Sequence, residues 1–246
     1  MRYFLEFAYK GTNYHGWQSQ PNAISVQETL NKAISLILKT EIDLVAAGRT
    51  DTGVHAKQMF AHFDYDIEID TNFLVHKLNS FLPKDIAVLA IHNVHKDAHA
   101  RFDATKRTYK YHIHTQKNVF ENDSSWYCKN SLNIDLMNKA CEILFNHTDF
   151  ECFSKVHTNV NTFNCKIFEA NWKQDNNQLI FTITADRFLR NMVRAIVGTM
   201  IYIALEKVSL QEFEEIIQSK DRKKAGFSVP AHGLYLTKVE YPFLRK

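Results

Sequence analysis

One order of hydrophobic periods, met twice along the chain, constrains its fold most. Residues 2–9 read as a strand. Ser25 and Glu28 spell a capping box ahead of a helix whose Val26, Leu30, Ile34, Ile37 and Leu38 line one side. Strands follow near 43–47 and 57–65. A helix near 71–82 carries Phe73, Leu74, Leu78 and Phe81 at helical spacing, Pro83 stops it, and residues 86–94 make another strand. The order is βαββαβ.

The second half repeats it. Residues 107–115 alternate as a strand and 133–146 form an amphipathic helix. Segments 166–174 and 179–186 pair as a hairpin around Asp175-Asn176-Asn177. A long helix is expected over about 188–206 and a shorter one from Ser209, with a second capping box to Glu212. The strand 234–241 closes the unit. This βαββααβ order is again a split βαβ unit. The expectation is an α+β protein of two ferredoxin-like halves, residues 1–103 and 104–246, with mainly antiparallel sheets and an active-site cleft between them. A single mixed sheet of all eight strands is also open.

Composition narrows the function. The net charge of +3 gives no general polyanion-binding character, so an anionic ligand needs its cations gathered on one face. The N-terminus, with Glu6 inside an alternating pattern, is neither a signal nor a transit peptide, and the apolar run 195–205 is too short to span a bilayer. A cytoplasmic location follows as the expectation. Cys128, Cys141, Cys152 and Cys165 contain no Cys-x-x-Cys and read as free thiols. His92, His95 and His99, or His112 and His114, lack a completing Cys or carboxylate pair, so no metal is expected. With no P-loop, dinucleotide fingerprint or Gly-x-Ser-x-Gly elbow, the site is cofactor-free and built from Asp, Arg and Tyr.

Three stretches offer those residues. In AGRTDTGVHA (47–56), Gly48 and Gly53 bracket Arg49 and Asp51, in a chain with only 7 glycines. Either a plain turn or a loop that projects Asp51 explains them. In the long helix Arg187, Arg190 and Arg194 recur at offsets 0, 3 and 7, one stripe along one face. The stripe is a solvated surface or an anion site. Arg194 enters the apolar part, where a guanidinium requires an anionic partner, an Asp of the protein or a phosphate. In KRTYKYHIH (106–114), Arg107, Tyr109, Tyr111 and Ile113 share one face. Their tyrosines are core, or platforms on which a base stacks.

At these residues the chain resembles the tRNA pseudouridine synthase A family. The resemblance is carried in order by 11–27, by 47–56, by HARFDATKRTYKYHI (99–113), by FLRNMVRAIVG (188–198) and by FSVPAHGLYLTKVEYP (227–242). It implies isomerisation of uridine to pseudouridine at positions 38, 39 and 40 of the tRNA anticodon stem-loop, by a cofactor-free homodimer with one tRNA bridging both subunits. It also implies that Asp51 is the essential residue, that Arg194 pairs with it, and that Tyr109 packs against the target base. Arg49 would fill the space left by the flipped nucleotide. His55, Arg190 and Leu234, beside Gly233, complete the substrate contacts, with a structural role also open for His55. Thr52 and Asn191 depart from the family's common Ala and His, and 152–165 match it poorly. The competing reading is a non-catalytic RNA-binding protein with two aromatic platforms. The Asp51–Arg194 pairing that the resemblance implies argues against it, since RNA binding alone does not need one.

Overall fold

The computed structural model describes residues 1–156 and 160–244. It divides into two compact units, Met1–Thr105 with the segment from Leu236 on, and Lys106–Tyr235. Among the described residues there are five α-helices and nine strands, so the fold is α+β, as the periods predict. No helix among them is long and apolar enough to cross a membrane.

The first unit runs β1 (Arg2–Tyr9), α1 (Val26–Leu38), β2 (Val45–Ala46), β3 (His55–Asp64), α2 (Thr71–Phe81) and β4 (Ile86–Val94). Its sheet order is β4-β1-β3-β9, where β9 is Leu234–Glu240. The sequence places 234–241 at the end of the second half; from Leu236 on the strand belongs to the first unit. There Val239 N–H donates to the Gln58 side chain of β3 at 3.0 Å, and Tyr241 Oη donates to the Ala100 carbonyl at 2.6 Å. β9 therefore occupies part of the β3 edge. The strand expected near 43–47 shrinks to two residues, Val45 and Ala46, opposite His62 and Ala61.

Ser25 caps α1 by accepting from Glu28 N–H at 3.2 Å, while the Glu28 carboxylate reaches forward to Lys32. Only half of that capping box forms. α2 buries Leu74 and Leu78, whereas Phe73 and Phe81 flank this line of contact and are 55% and 57% exposed. The four-residue apolar stripe read for α2 is thus a two-residue one.

The second unit contains β5 (Lys106–His114), β6 (Trp126–Tyr127), α3 (Ile134–Leu144), β7 (Ile167–Asp175), β8 (Gln178–Ala185), α4 (Met192–Ala204) and α5 (Leu210–Ser219). β5, β8 and β7 are neighbours in that order and antiparallel; β6 runs parallel to β5. The β7–β8 hairpin turns at Asn176, whose φ of 51° suits asparagine. Trp172 stacks on Phe181 at 5.0 Å over Met200 of α4. Ser209 and Glu212 complete a full capping box on α5.

The long helix differs most from its expected span. It starts at Met192, not near 188, because Asn191 takes a left-handed conformation with φ 69° and donates through Nδ2 to Ser228 Oγ at 2.8 Å. Arg187 and Arg190 lie in the preceding loop, where the Asp186 carboxylate accepts from the backbone N–H of Lys166 and Arg187. The three-arginine stripe on one helical face does not exist. A helix continued backwards would have stacked those like charges at i,i+3 and i,i+4 spacing, which opposes helix formation.

All four cysteines are free and buried, and burial pushes the thiols of Cys141, Cys152 and Cys165 up to about 12. His62 of β3 is also buried. Burial first, then the nearby His99 and Arg2, hold its imidazole down at about 4, against weaker opposing pulls from Asp64 and the Val45 carbonyl. Between about pH 6.5 and pH 4 the unfolded chain binds a proton there that the folded chain does not, so stability falls as the pH falls through that window. The loss is of the order of 3 kcal/mol at most. Urea titrations at pH 7.5 and 4.5 should show a smaller difference for His62→Gln than for the wild type; equal differences would remove this histidine from the account.

Candidate functional site

The loop bearing Asp51 is shaped by residues far ahead of it in sequence. Trp17 N–H donates to the Thr50 carbonyl at 3.3 Å and Gly53 N–H to the Tyr14 carbonyl at 3.3 Å. Gly11 N–H donates to His55 Nδ1 at 2.9 Å. Val54 N–H closes the turn onto the Asp51 carbonyl at 3.1 Å. Residues 10–17 are themselves braced. Lys10 N–H donates to the Asp85 carbonyl, and Tyr14 Oη and Asn13 Nδ2 donate to the Asp85 carboxylate at 2.6 and 3.1 Å. Burial, helped by this bond, raises the Tyr14 phenol well above its ordinary range, so it stays a donor.

This packing needs glycine at places the motif does not show. A Cβ on Gly16, where φ is 86°, would stand 2.4 Å from the Thr50 carbonyl oxygen, and one on Gly11 would stand 2.0 Å from that of Val54. Of the two glycines bracketing Asp51, Gly53 has positive φ, at 79°. Gly48 has neither positive φ nor any atom within 4 Å of an added Cβ. The backbone that needs room is the facing segment. Within the loop Asp51 is half-buried, Arg49 is exposed and His55 is buried, its ring accepting from the Gly11 amide.

In the second unit Arg194, on the first turn of α4, is half-buried and donates through Nε to the Val229 carbonyl at 2.7 Å; Val229 N–H returns a bond to the Arg194 carbonyl at 3.3 Å. Tyr111 Oη donates to the next carbonyl, Pro230, at 2.9 Å. Burial raises the Tyr111 phenol, and the Arg194 charge pulls the other way. Tyr109 is half-buried, with Phe188 edge-on at 5.0 Å. Arg190 is exposed, and its carbonyl accepts from Lys155 N–H. Leu234 is buried directly after the turn Ala231–Gly233.

Thus Arg49 and Asp51 lie on one loop of the first unit and His55 opens β3 directly after it, while Arg194 and Leu234 flank the Val229–Gly233 stretch of the second, with Tyr109 against Phe188. Of 152–165, residues 157–159 lie outside the described residues. Of the histidines weighed as metal ligands, His92 Nε2 meets Glu6 at 3.0 Å, His95 lies edge-on to Phe243, and His99 packs on His62.

A family model for tRNA pseudouridine synthase matches residues 7–103 and 140–242. The chain is 50% identical over 242 residues to the tRNA pseudouridine synthase A of Parabacteroides distasonis, covering 98% of this chain and 96% of the relative. It is 51% identical over 243 residues to that of Bacteroides fragilis, with the same coverage. With that of Clostridium acetobutylicum the identity is 41% over 243 residues, covering 96% and 98%. The chain belongs to the tRNA pseudouridine synthase family. As a member, it is an isomerase that acts on tRNA.

Of the residues that shape the loop, Gly11, Tyr14 and Gly16 fall in the 11–27 stretch that carries the family resemblance, whereas Asp85 falls outside every such stretch. Gly16→Ala should destabilise the protein by about 2–4 kcal/mol, through a strained left-handed alanine plus a backbone clash. Gly48→Ala should stay within about 0.5 kcal/mol of the wild type. Urea denaturation of the two variants checks this, and equal effects would contradict it.

Proposed function

We propose that this synthase isomerises uridine at positions 38, 39 and 40 of the tRNA anticodon stem-loop, with the Asp51 carboxylate acting at the ribose of a flipped-out nucleotide. The observation that carries this reading is the loop itself. A half-buried carboxylate is set on a backbone pinned by Tyr14, Trp17 and the Asp51–Val54 turn, and pinned geometry of this kind serves positioning better than loose binding.

The reaction breaks the N-glycosidic bond, turns the uracil while it is held, and joins its C5 to the ribose C1′. An ionised carboxylate serves either as nucleophile at the sugar or as base at C2′. Arg194 pairs with Asp51, a guanidinium set against a carboxylate. Tyr109 stacks on the detached uracil and limits its escape. Arg49 enters the space the nucleotide vacates, and His55, Arg190 and Leu234 complete the surroundings of the substrate. In this division of labour residues 1–103 carry the carboxylate loop and 104–246 the tyrosine and the arginine, with the cleft between them. The working form is a cytoplasmic homodimer in which one tRNA bridges both subunits, and it needs neither metal nor cofactor.

Asp51→Ala should leave tRNA binding within a fewfold of the wild type. It should lower tritium release from tRNA labelled at uridine C5 by about 10³-fold or more. Release at the wild-type rate would remove Asp51 from the chemistry. For the wild type, log affinity for tRNA should fall linearly with log salt, because phosphates held by Arg and Lys release counterions. A flat salt dependence would place those side chains away from the RNA.

A further inference from the structure

We infer that Tyr9 is a positioning residue for this reaction, acting through Thr50 on its neighbour Asp51. The inference rests on Asp51 as the reacting carboxylate. Pairing between β1 and β3 is regular from Arg2↔Asp64 to Phe7↔Met59, then slips, so that Tyr9 faces Ala56. Two steps along β1 match three along β3, a bulge with the extra residue on β3. Bulges re-aim side chains and gather beside active sites. This one falls where β3 emerges from the Asp51 loop.

The Tyr9 ring is 4% exposed and lies 6.1 Å from Phe7, which packs on Trp17 at 5.3 Å. A ring held this way has little freedom. Its hydroxyl lies 2.9 Å from Thr50 Oγ1, and Thr50 is 9% exposed. Thr50 is thus gripped twice, by its side chain to Tyr9 and by its carbonyl to Trp17 N–H. The next tie along the loop is the Asp51 carbonyl to Val54 N–H. The torsions that aim the Asp51 side chain start from a residue fixed on both sides. Removing the tyrosine hydroxyl deletes the hydrogen bond to Thr50, a modest loss to the fold. A small displacement of a reacting group is far costlier to rate.

The test measures tritium release under single-turnover and steady-state conditions, with tRNA binding measured separately. Tyr9→Phe is expected to lower kcat about tenfold or more, with KM and tRNA affinity within twofold of the wild type and the folded fraction unchanged at assay temperature. Thr50→Val, which removes the partner hydroxyl at constant shape, should do the same. The double variant should be no slower than the worse single one, and Thr50→Ser should recover at least fivefold over Thr50→Val. Wild-type kcat in Tyr9→Phe, losses that multiply in the double variant, or a loss confined to KM would each overturn the inference. An active Asp51→Ala would instead overturn the reading beneath it.

Discussion

The contact between the backbone of residues 11–17 and that of residues 50–54 is the constraint on which the candidate site depends. Two chain segments meet there with no side chain between them, which only glycine permits on the approaching side. In return, amides on both strands of the contact find carbonyls: Trp17 with Thr50, and Gly53 with Tyr14. The loop therefore has few conformations to choose from, although it is short of regular structure. Its rigidity is borrowed from β1, α1 and the turn before β4, through Tyr9, Trp17 and Asp85.

The second unit uses the same device with different chemistry. Eleven residues of α4 are buried, so the helix is fixed by apolar contact on nearly every side. The one charge in its first turn must then be met locally. Arg194 spends Nε on the Val229 carbonyl, and the backbone of Val229 answers to the carbonyl of Arg194. Tyr111 secures the adjacent carbonyl of Pro230. A guanidinium braced through one nitrogen presents its remaining N–H groups in a set direction, which suits a planar fork better than a flexible ammonium.

Much of this architecture was legible in the sequence. The βαββαβ order, the hairpin at Asn176 and both N-cap serines follow from local rules, and local rules suffice where neighbours along the chain decide the structure. Asp51 stood out because its flanking residues are unusual for this chain. The failures are equally physical. β2 is short because a strand from the other end of the chain takes part of the β3 edge, and no local pattern reports that. Phe73 and Phe81 have the right period yet flank the contact line, because periodicity names a face and not its width. Tyr9 and Asp85 were invisible because their roles exist only after the register slip in β1–β3 and the turn before β4 have formed.

The start of α4 alters how basic side chains can meet an RNA. Read as one helix from 188, Arg187, Arg190 and Arg194 would form a single stripe and act as one electrostatic unit. Asn191 separates them. Arg187 reaches the Thr162 carbonyl from the loop at 3.3 Å, Arg190 is exposed, and Arg194 alone remains on the helix, half-buried. These are three environments, and they suit different work. An exposed arginine on a loop can follow a phosphate that moves, whereas a half-buried one held through Nε cannot. The left-handed asparagine thus divides the two loop arginines from the one arginine held on the helix. Its Nδ2–Ser228 bond and the Arg194–Val229 bonds anchor both sides of that division to the same extended stretch, 228–229.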